Sequence, residues 1–426
     1  MNEITPDQDS SLEQWLDYLL RQHPIEIDMG LTRVTDVARN MSLLTPNKTV
    51  ITVGGTNGKG TTCRLIESVL TVAGKNVGVY SSPHLLKFNE RIRICGKDVT
   101  DAALIKAFYA IELNRNDISL TFFEYATLAA LYIFSQADLD VILLEVGLGG
   151  RLDATNIIDA DIGVITSIDL DHQEYLGNTR ELVGIEKAGI SRADQPFIIG
   201  EPDLPSPVLR LLKQKSAIPI SVGTAFEYAI NNNDWEYSGV DSNGQRHIID
   251  LPMPELPLPN AATAITTILQ YSADITDEYI RKGIACASMA GRFEQLSQSP
   301  RILLDVAHNP HAAKLLKQRL KQLLHKELHK KVYALCGMLK DKDIGSVLNV
   351  MANVIDDWSL VDLEVERGAQ AGQLKQALID EKQVHCFASI SDAWQRLKHK
   401  ITDEDVVIVF GSFYTVSGFK KLIEQG

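Results

Sequence analysis

The chain has 426 residues, 45% of them apolar, and a formal net charge of −13. That length exceeds what one core usually holds, so two domains are expected, and the acidic surface argues against a nucleic-acid backbone as partner. Five scattered cysteines without C-x-x-C spacing fit reduced thiols in a cytosol, and the absence of any run of about 18 apolar residues speaks against a membrane span.

The first residues, MNEITPDQDSSLEQW, are acidic and polar without an apolar core, which predicts a cytoplasmic protein. A β-branched run, Val50–Val53, then feeds the glycine-rich turn GGTNGKGTT. Glycines let backbone N–H groups close on phosphate oxygens, a following helix offers its positive N-terminus, and Lys59 with Thr61 and Thr62 supplies charge and hydroxyls. The pattern departs from G-x-x-x-x-G-K-[ST]: Gly54 lies four residues before Gly58, and Gly60 occupies the hydroxyl position, with Thr61 one later. Leu65, Ile66, Val69, Leu70 and Ala73 share a helical face, and Gly74 is a stop.

Further strands are expected at Val77–Tyr80, Val141–Val146, Ile162–Ile168 and Phe197–Ile199, with amphipathic stretches between them. Such alternation predicts a mostly parallel sheet covered by helices. From Pro219 to Pro259 the texture changes to short β-rich pieces (Ile220–Val222, Trp235–Tyr237, His247–Leu251), an NNND turn and five prolines, read as a peripheral β-segment. Pro259 and Asn260 open the helix AATAITTILQY, and Met289–Pro300 is read as a hinge. Strands at Ile302–Val306, Val332–Leu335, Trp358–Val361 and Val406–Phe410 follow, alternating with helices. The basic helix Lys314–Lys331 is most simply a solvated face. The expected fold is therefore α/β: a P-loop ATPase domain over residues 1–295, with the β-segment at 219–259, and a smaller Rossmann-like domain over 296–426.

Chemistry collects at strand ends, where open α/β sheets place ligands. Glu145 is the lone acid at the end of the apolar strand LDVILLEV, where an ionised carboxylate needs a metal, a base or a hydrogen-bonded core niche. His172 lies in the segment that follows the next strand, SIDLDHQEYLG. Ser82 by itself reads as a turn residue, Lys187 as a helix lysine. No G-x-S-x-G elbow, H-E-x-x-H or cysteine pair points to serine or zinc chemistry.

Eight blocks in order (GTNGKGTT, SSPHL, FEYATLAAL, EVGLGGRLDATN, the His172 segment, EKAGI, LDVAHNPHA and GMLKDKD) resemble the folylpolyglutamate synthase family, in its bacterial bifunctional form with dihydrofolate synthase activity. The resemblance runs from about Leu31 to Thr415 and implies kinship with the Mur peptidoglycan ligases. It implies a nucleotide loop at Thr56, Asn57, Gly58, Lys59 and Gly60, with Thr61 as a phosphate or Mg²⁺ hydroxyl. Ser82, Glu145 and His172 match magnesium ligands, and Lys187 matches a lysine carried as a carbamate. Asn260, Arg292 and Asp305 match positions holding the adenine, phosphate and ribose of ATP, which implies a nucleotide sandwiched between domains. His308 and Ser412 match loops facing L-glutamate; Asp28, Thr121, Phe123, Asp153 and Ala154 match pteroate-binding segments. The implied partners are ATP, Mg²⁺, dihydropteroate, reduced folates and L-glutamate, with a monovalent cation as a further candidate and a monomer expected. Tyr414 stands where relatives often have histidine.

Two other classes share part of this pattern. A Mur-type ligase acting on a peptidoglycan precursor should lack the pteroate segments and usually carries an extra N-terminal domain, whereas about 48 residues precede the first strand here. A non-catalytic P-loop switch would leave His172, Lys187 and DVAHNP unexplained.

Overall fold

The computed structural model describes residues 5–25, 27–231, 234–326, 331–379 and 383–425. The chain divides into two compact units, Met1–Ala287 and Ser288–Gly426.

In the first unit, β1 (Thr49–Gly54), β2 (Val77–Tyr80), β3 (Ile92–Ile94), β4 (Lys97–Asp98), β5 (Val141–Glu145), β6 (Ile162–Ile165), β7 (Pro196–Ile199) and β8 (Ile218–Ser221) form one sheet. Its order is β4-β3-β2-β5-β1-β6-β7-β8. Neighbours from β2 to β8 are parallel, and β3 runs antiparallel to both β2 and β4. Parallel strands covered on both faces must be apolar throughout; accordingly all of β5 is buried, including Glu145. Because β1, β5 and β6 are parallel neighbours, the loops after all three leave from one carboxyl edge.

Helices pack on both faces. On one face Trp15 lies 5.9 Å from Phe108, and Tyr125, Leu128 and Phe134 fill the interior. The helix Phe122–Ser135 is held at its start by a capping box, with Thr121 Oγ1 accepting from Glu124 N and Glu124 Oε2 accepting from Thr121 N. Further along the same face Val183, Phe197, Val208 and Leu212 form a second cluster, each buried side chain contributing roughly 1.5–3 kcal/mol. The helix Lys59–Val72 ends as its sequence suggests, with Gly74 at φ +80. A separate antiparallel sheet contains β9 (Phe226–Asn231), β10 (Asp234–Val240) and β11 (Arg246–Pro252), in the order β11-β10-β9.

The second unit has β12 (Arg292–Gln298), β13 (Arg301–Asp305), β14 (Val332–Cys336), β15 (Asp357–Val361), β16 (Gln383–Phe387) and β17 (Val406–Phe410) in the order β12-β13-β17-β14-β15-β16. Only β12 is antiparallel to its neighbour. Leu303, Ala334, Trp358 and Phe410 form part of its core.

Four readings of the sequence need correction. The segment around Ile220–Val222 is not peripheral: as β8 it extends the main sheet beside β7, after the helix Ser206–Gln214 completes another crossover. The segment read as a hinge is largely β12, a polar edge strand whose pattern gives no core signal. The strand expected to reach Ile168 ends at Ile165, because residues 166–169 turn to bind the phosphate loop. The basic helix spans Pro310–Lys326, and residues 327–330 of that reading lie outside the described residues. Asn232 and Asn233 of the NNND turn also lie outside them.

Candidate active site

The turn after β1 is built by glycine geometry and fastened by side chains of the loop after β6. Gly58, at φ +84, stands at the start of the helix Lys59–Val72, a conformation that L side chains resist. Thr166 Oγ1 donates to Asn57 O at 2.6 Å, Asn57 N donates to Ser167 Oγ at 3.0 Å, and Thr56 Oγ1 donates to Asp169 O at 2.9 Å. The Lys59 ammonium folds back to the carbonyls of Gly55 and Thr56, at 3.0 and 3.4 Å. Gly60 and Thr61 are buried in the first turn. Asn260, on the helix Leu258–Tyr271, sits on this loop, its amide donating to Thr62 Oγ1 at 3.2 Å and to Gly58 O at 3.4 Å.

Glu145 lies beside Val53 in the register of β1 and β5, so the acid ends its strand next to the start of the phosphate turn. It is 5% exposed and accepts a hydrogen bond from Ser82 N at 3.2 Å. His172 adopts the left-handed conformation, φ 49 and ψ 45, at the head of a short helix; such strain in a non-glycine residue is typical of sites where geometry serves function. Its Nε2 lies 4.0 Å from Asp171 Oδ1.

Lys187 occupies the last turn of the helix Arg180–Ala188. Burial, reinforced by the nearby Lys59 ammonium, pushes its amine down to about 7, with Asp171 and Asp153 opposing. The glycine-rich loop after β5 lies against the end of this helix, where Arg151 N donates to Glu186 O at 2.8 Å. A side chain on Gly150 would meet the carbonyls of Glu186 and Lys187 at 2.9 and 3.0 Å. Among the described residues no group of three or more His, Cys, Asp and Glu is arranged to hold a metal. The carboxylate of Glu145 and the hydroxyls of Ser82 and Thr61 are oxygen donors of the kind Mg²⁺ takes, and that ion keeps waters and shares substrate phosphates instead of occupying a full protein cage.

The residues matched to pteroate segments also belong to the first unit. Asp153 is buried, with Oδ1 accepting from Thr155 N and Thr155 Oγ1 and Oδ2 accepting from Leu148 N. Burial raises its carboxyl above the ordinary value, against these hydrogen bonds. Its first visible task is thus to order the loop that follows Glu145, and Ala154 begins the turn after it. The Phe123 ring leans over Gly147, where a β-carbon would stand 2.5 Å from Cζ, and lies 5.8 Å from the Tyr80 ring. Sequence reading missed Arg33, which binds Asp28 Oδ2 at 2.7 Å and Glu124 Oε1 at 3.2 Å, linking the Asp28 segment to the helix capped by Thr121.

In the second unit, Arg292 and Asp305 are partners across β12 and β13. Asp305 accepts from Phe293 N and Ala307 N at 2.9 and 2.8 Å, and burial raises its carboxyl against the pull of Arg292. The Arg292 guanidinium lies 5.5 Å from the centre of the Phe413 ring, which is 6.4 Å from the His308 ring. His308 Nδ1 pairs with Val306 O at 2.8 Å, so the neutral ring keeps its lone pair at Nε2. Ser412 is 3% exposed, and its hydroxyl accepts from Thr415 N, which makes it a helix cap. Tyr414 is half exposed. Sequence reading also missed Phe413, Thr166, Ser167 and Asp169, whose roles rest on partners distant in the chain.

A phosphate turn before a helix, a lone strand-end acid beside it and a following smaller α/β unit define a Mur-type ligase: residues 53–254 match the Mur ligase middle domain, and 291–413 match the Mur ligase glutamate ligase domain. The dihydrofolate synthase/folylpolyglutamate synthase of Escherichia coli (strain K12) is 47% identical over 420 residues, covering 99% of this chain and 97% of that protein. The solved structure of E. coli FolC in complex with DHPP and ADP has a TM-score of 0.94 at 47% identity, covering 99% of both chains. A bifunctional folylpolyglutamate synthase/dihydrofolate synthase solved with Mn, AMPPNP and L-glutamate bound has a TM-score of 0.91 at 44% identity, covering 99% of this chain and all of that one. The chain belongs to the dihydrofolate synthase/folylpolyglutamate synthase family.

Proposed function

We propose that this protein is an ATP-dependent amide ligase that adds L-glutamate to dihydropteroate, giving dihydrofolate, and adds further glutamates to reduced folates. The observation that carries this reading is the carboxyl edge of the main sheet, where the phosphate turn with Lys59 and the strand-end Glu145 lie on adjacent strands. The likeness to relatives solved with DHPP and ADP, and with L-glutamate, supports the choice of substrates.

In this reading a substrate carboxylate oxygen attacks the γ-phosphorus of ATP, the bond to the bridging oxygen breaks, and ADP leaves. Lys59 follows the charge developing on the phosphoryl oxygens, and backbone N–H groups of residues 56–60 hold the phosphates. The glutamate amine then attacks the acyl carbon, phosphate departs and the amine loses a proton. His308, through Nε2, is the proposed group beside the glutamate, with Arg292 and Asp305 assigned to ATP and Ser412 supporting its loop. Water must be kept out, since an acyl phosphate hydrolyses.

Ser82, Glu145, His172 and Thr61 would hold Mg²⁺, which supplies charge neutralisation to the transferring phosphoryl group. Lys187 joins that set as a carbamate: its neutral amine adds to CO₂, loses a proton and becomes an anion. The downward shift of its amine supports this, because only the neutral form adds CO₂. A monovalent cation, a monomeric state and a cytoplasmic location complete the proposal; among the described residues no helix is long and apolar enough to cross a membrane.

Product analysis with ATP, dihydropteroate and glutamate tests the reading. The expected products are dihydrofolate, ADP and phosphate, with polyglutamates from a reduced folate. Products from the folate alone would leave a folate-only synthase, and products from neither would defeat the proposal.

A further inference from the structure

Glu67 is fully buried on the phosphate-loop helix, two turns beyond Lys59, and no step above uses it. Arg93, on β3, meets it as a fork: Nε lies 3.2 Å from both carboxylate oxygens, and Nη2 lies 3.0 Å from Oε2. Arg64 adds a contact of 3.2 Å to Oε2. The other arm of Arg93, Nη1, donates to Ser81 Oγ at 3.1 Å and to Glu90 O at 3.1 Å. Ser81 and Glu90 stand near opposite ends of the loop that carries Ser82. One guanidinium therefore grips the nucleotide helix on one side and both ends of this loop on the other.

The loop is otherwise ordered from within. Glu90 accepts N–H groups of Leu85, Leu86 and Lys87 at 2.7–2.8 Å, and Ser81 N donates to Arg91 O at 2.8 Å. These contacts make the loop rigid without fixing where it stands relative to the helix. Arg93 does that, and Ser82, next to Ser81, then meets Glu145 through its N–H. Stability alone does not call for such a device, because apolar side chains of similar volume often replace a buried ion pair without loss. A planar fork adds direction, which apolar packing lacks.

We propose that Arg93, seated on Glu67, is a positioning residue that sets the Ser82 loop against the phosphate-loop helix and thereby tunes divalent-cation affinity. The inference rests on the assignment of Ser82 and Glu145 as cation ligands. Its test is Mn²⁺ binding, followed by electron paramagnetic resonance in the presence of AMPPNP, for the wild type, Ser81→Ala, Arg93→Lys, Ser82→Ala and Glu145→Gln. Ser81→Ala removes one of the two far contacts, leaving the bond to Glu90 O and the Glu67–Arg93 pair, so it separates loop position from folding. Arg93→Lys keeps the charge and removes the fork. Both should weaken Mn²⁺ roughly ten- to a hundredfold, with metal-free ADP affinity unchanged and melting close to wild type for Ser81→Ala. Unaltered Mn²⁺ affinity in folded Ser81→Ala and Arg93→Lys, while Ser82→Ala and Glu145→Gln lose it, would overturn the positioning role. Unaltered affinity in all four would overturn it together with the ligand assignment.

Discussion

Asn260 fills the space that a side chain on Gly58 would enter: a β-carbon there would stand 2.1 Å from Asn260 Nδ2. Two residues far apart in the chain thus share one surface of the phosphate turn, and the bare backbone of one admits the amide of the other.

Gly58→Ala is expected to strain the turn twice, through its φ of +84 and through collision with Asn260. The left-handed conformation alone costs a non-glycine residue on the order of 1–3 kcal/mol. Calorimetry should show ADP affinity falling at least about tenfold, the loss that 1.4 kcal/mol represents. Unchanged affinity would remove the turn from the nucleotide site.

Lys59→Ala should abolish ligase turnover while leaving circular dichroism unchanged. Among the described residues the ammonium bonds only loop carbonyls within its own turn, so its loss touches little of the core. Wild-type turnover in a folded variant would withdraw the assignment.

Lys187 titrates at about 7, well below the ordinary lysine value of 10.5. In CO₂-free buffer the unfolded chain therefore binds more protons in that interval, and stability rises with pH across it. The contribution is fully present above 10.5 and lost as pH falls through about 7. Urea unfolding should show this slope in the wild type and not in Lys187→Met. Lys187→Ala should also lower turnover, with partial rescue by short carboxylic acids, and ¹³C-bicarbonate should give a carbamate resonance in the wild type alone.

His247 lies between two carboxylates, 3.2 Å from Asp241 Oδ2 and 3.1 Å from Asp277 Oδ1. Burial lowers its affinity for the proton, but the hydrogen bonds to Asp277 and Asp241 prevail and raise it above the ordinary 6.5. Stability from this bridge is fully present below 6.5 and is lost as pH rises through the higher folded value. Since it ties β11 to the helix Asp277–Cys286, His247→Gln should be destabilised in mildly acidic buffer and nearly neutral in alkaline buffer. An equal loss at both would refute the ionic bridge.

Asp153 orders the loop after Glu145 through Leu148 and Thr155, so Asp153→Ala would disturb more than one pose. Asp153→Asn keeps the shape and an acceptor for Thr155. It should reduce kcat/KM for dihydropteroate more than for folate extension, by roughly 1.5–3 kcal/mol for a lost charged hydrogen bond. Equal losses would show that the two substrates share one pterin position.

The sequence by itself determined the parts whose signal is local. The glycine turn, the lone acid ending an apolar strand, the helical face from Leu65 to Leu70 and the alternation of buried strands with helices all follow from side-chain periodicity and backbone freedom, which operate within a few residues. Only the tertiary structure decided what depends on distant partners. The edge strands β12 and β16, half exposed and without a continuous apolar run, take their form from hydrogen bonds to β13 and β15. Arg93 reaches Glu67 across 26 residues, and Asn260 reaches Gly58 across 202. Charges and amides of that kind look like ordinary surface residues in the chain, because their meaning comes from burial beside a group that folding alone brings near.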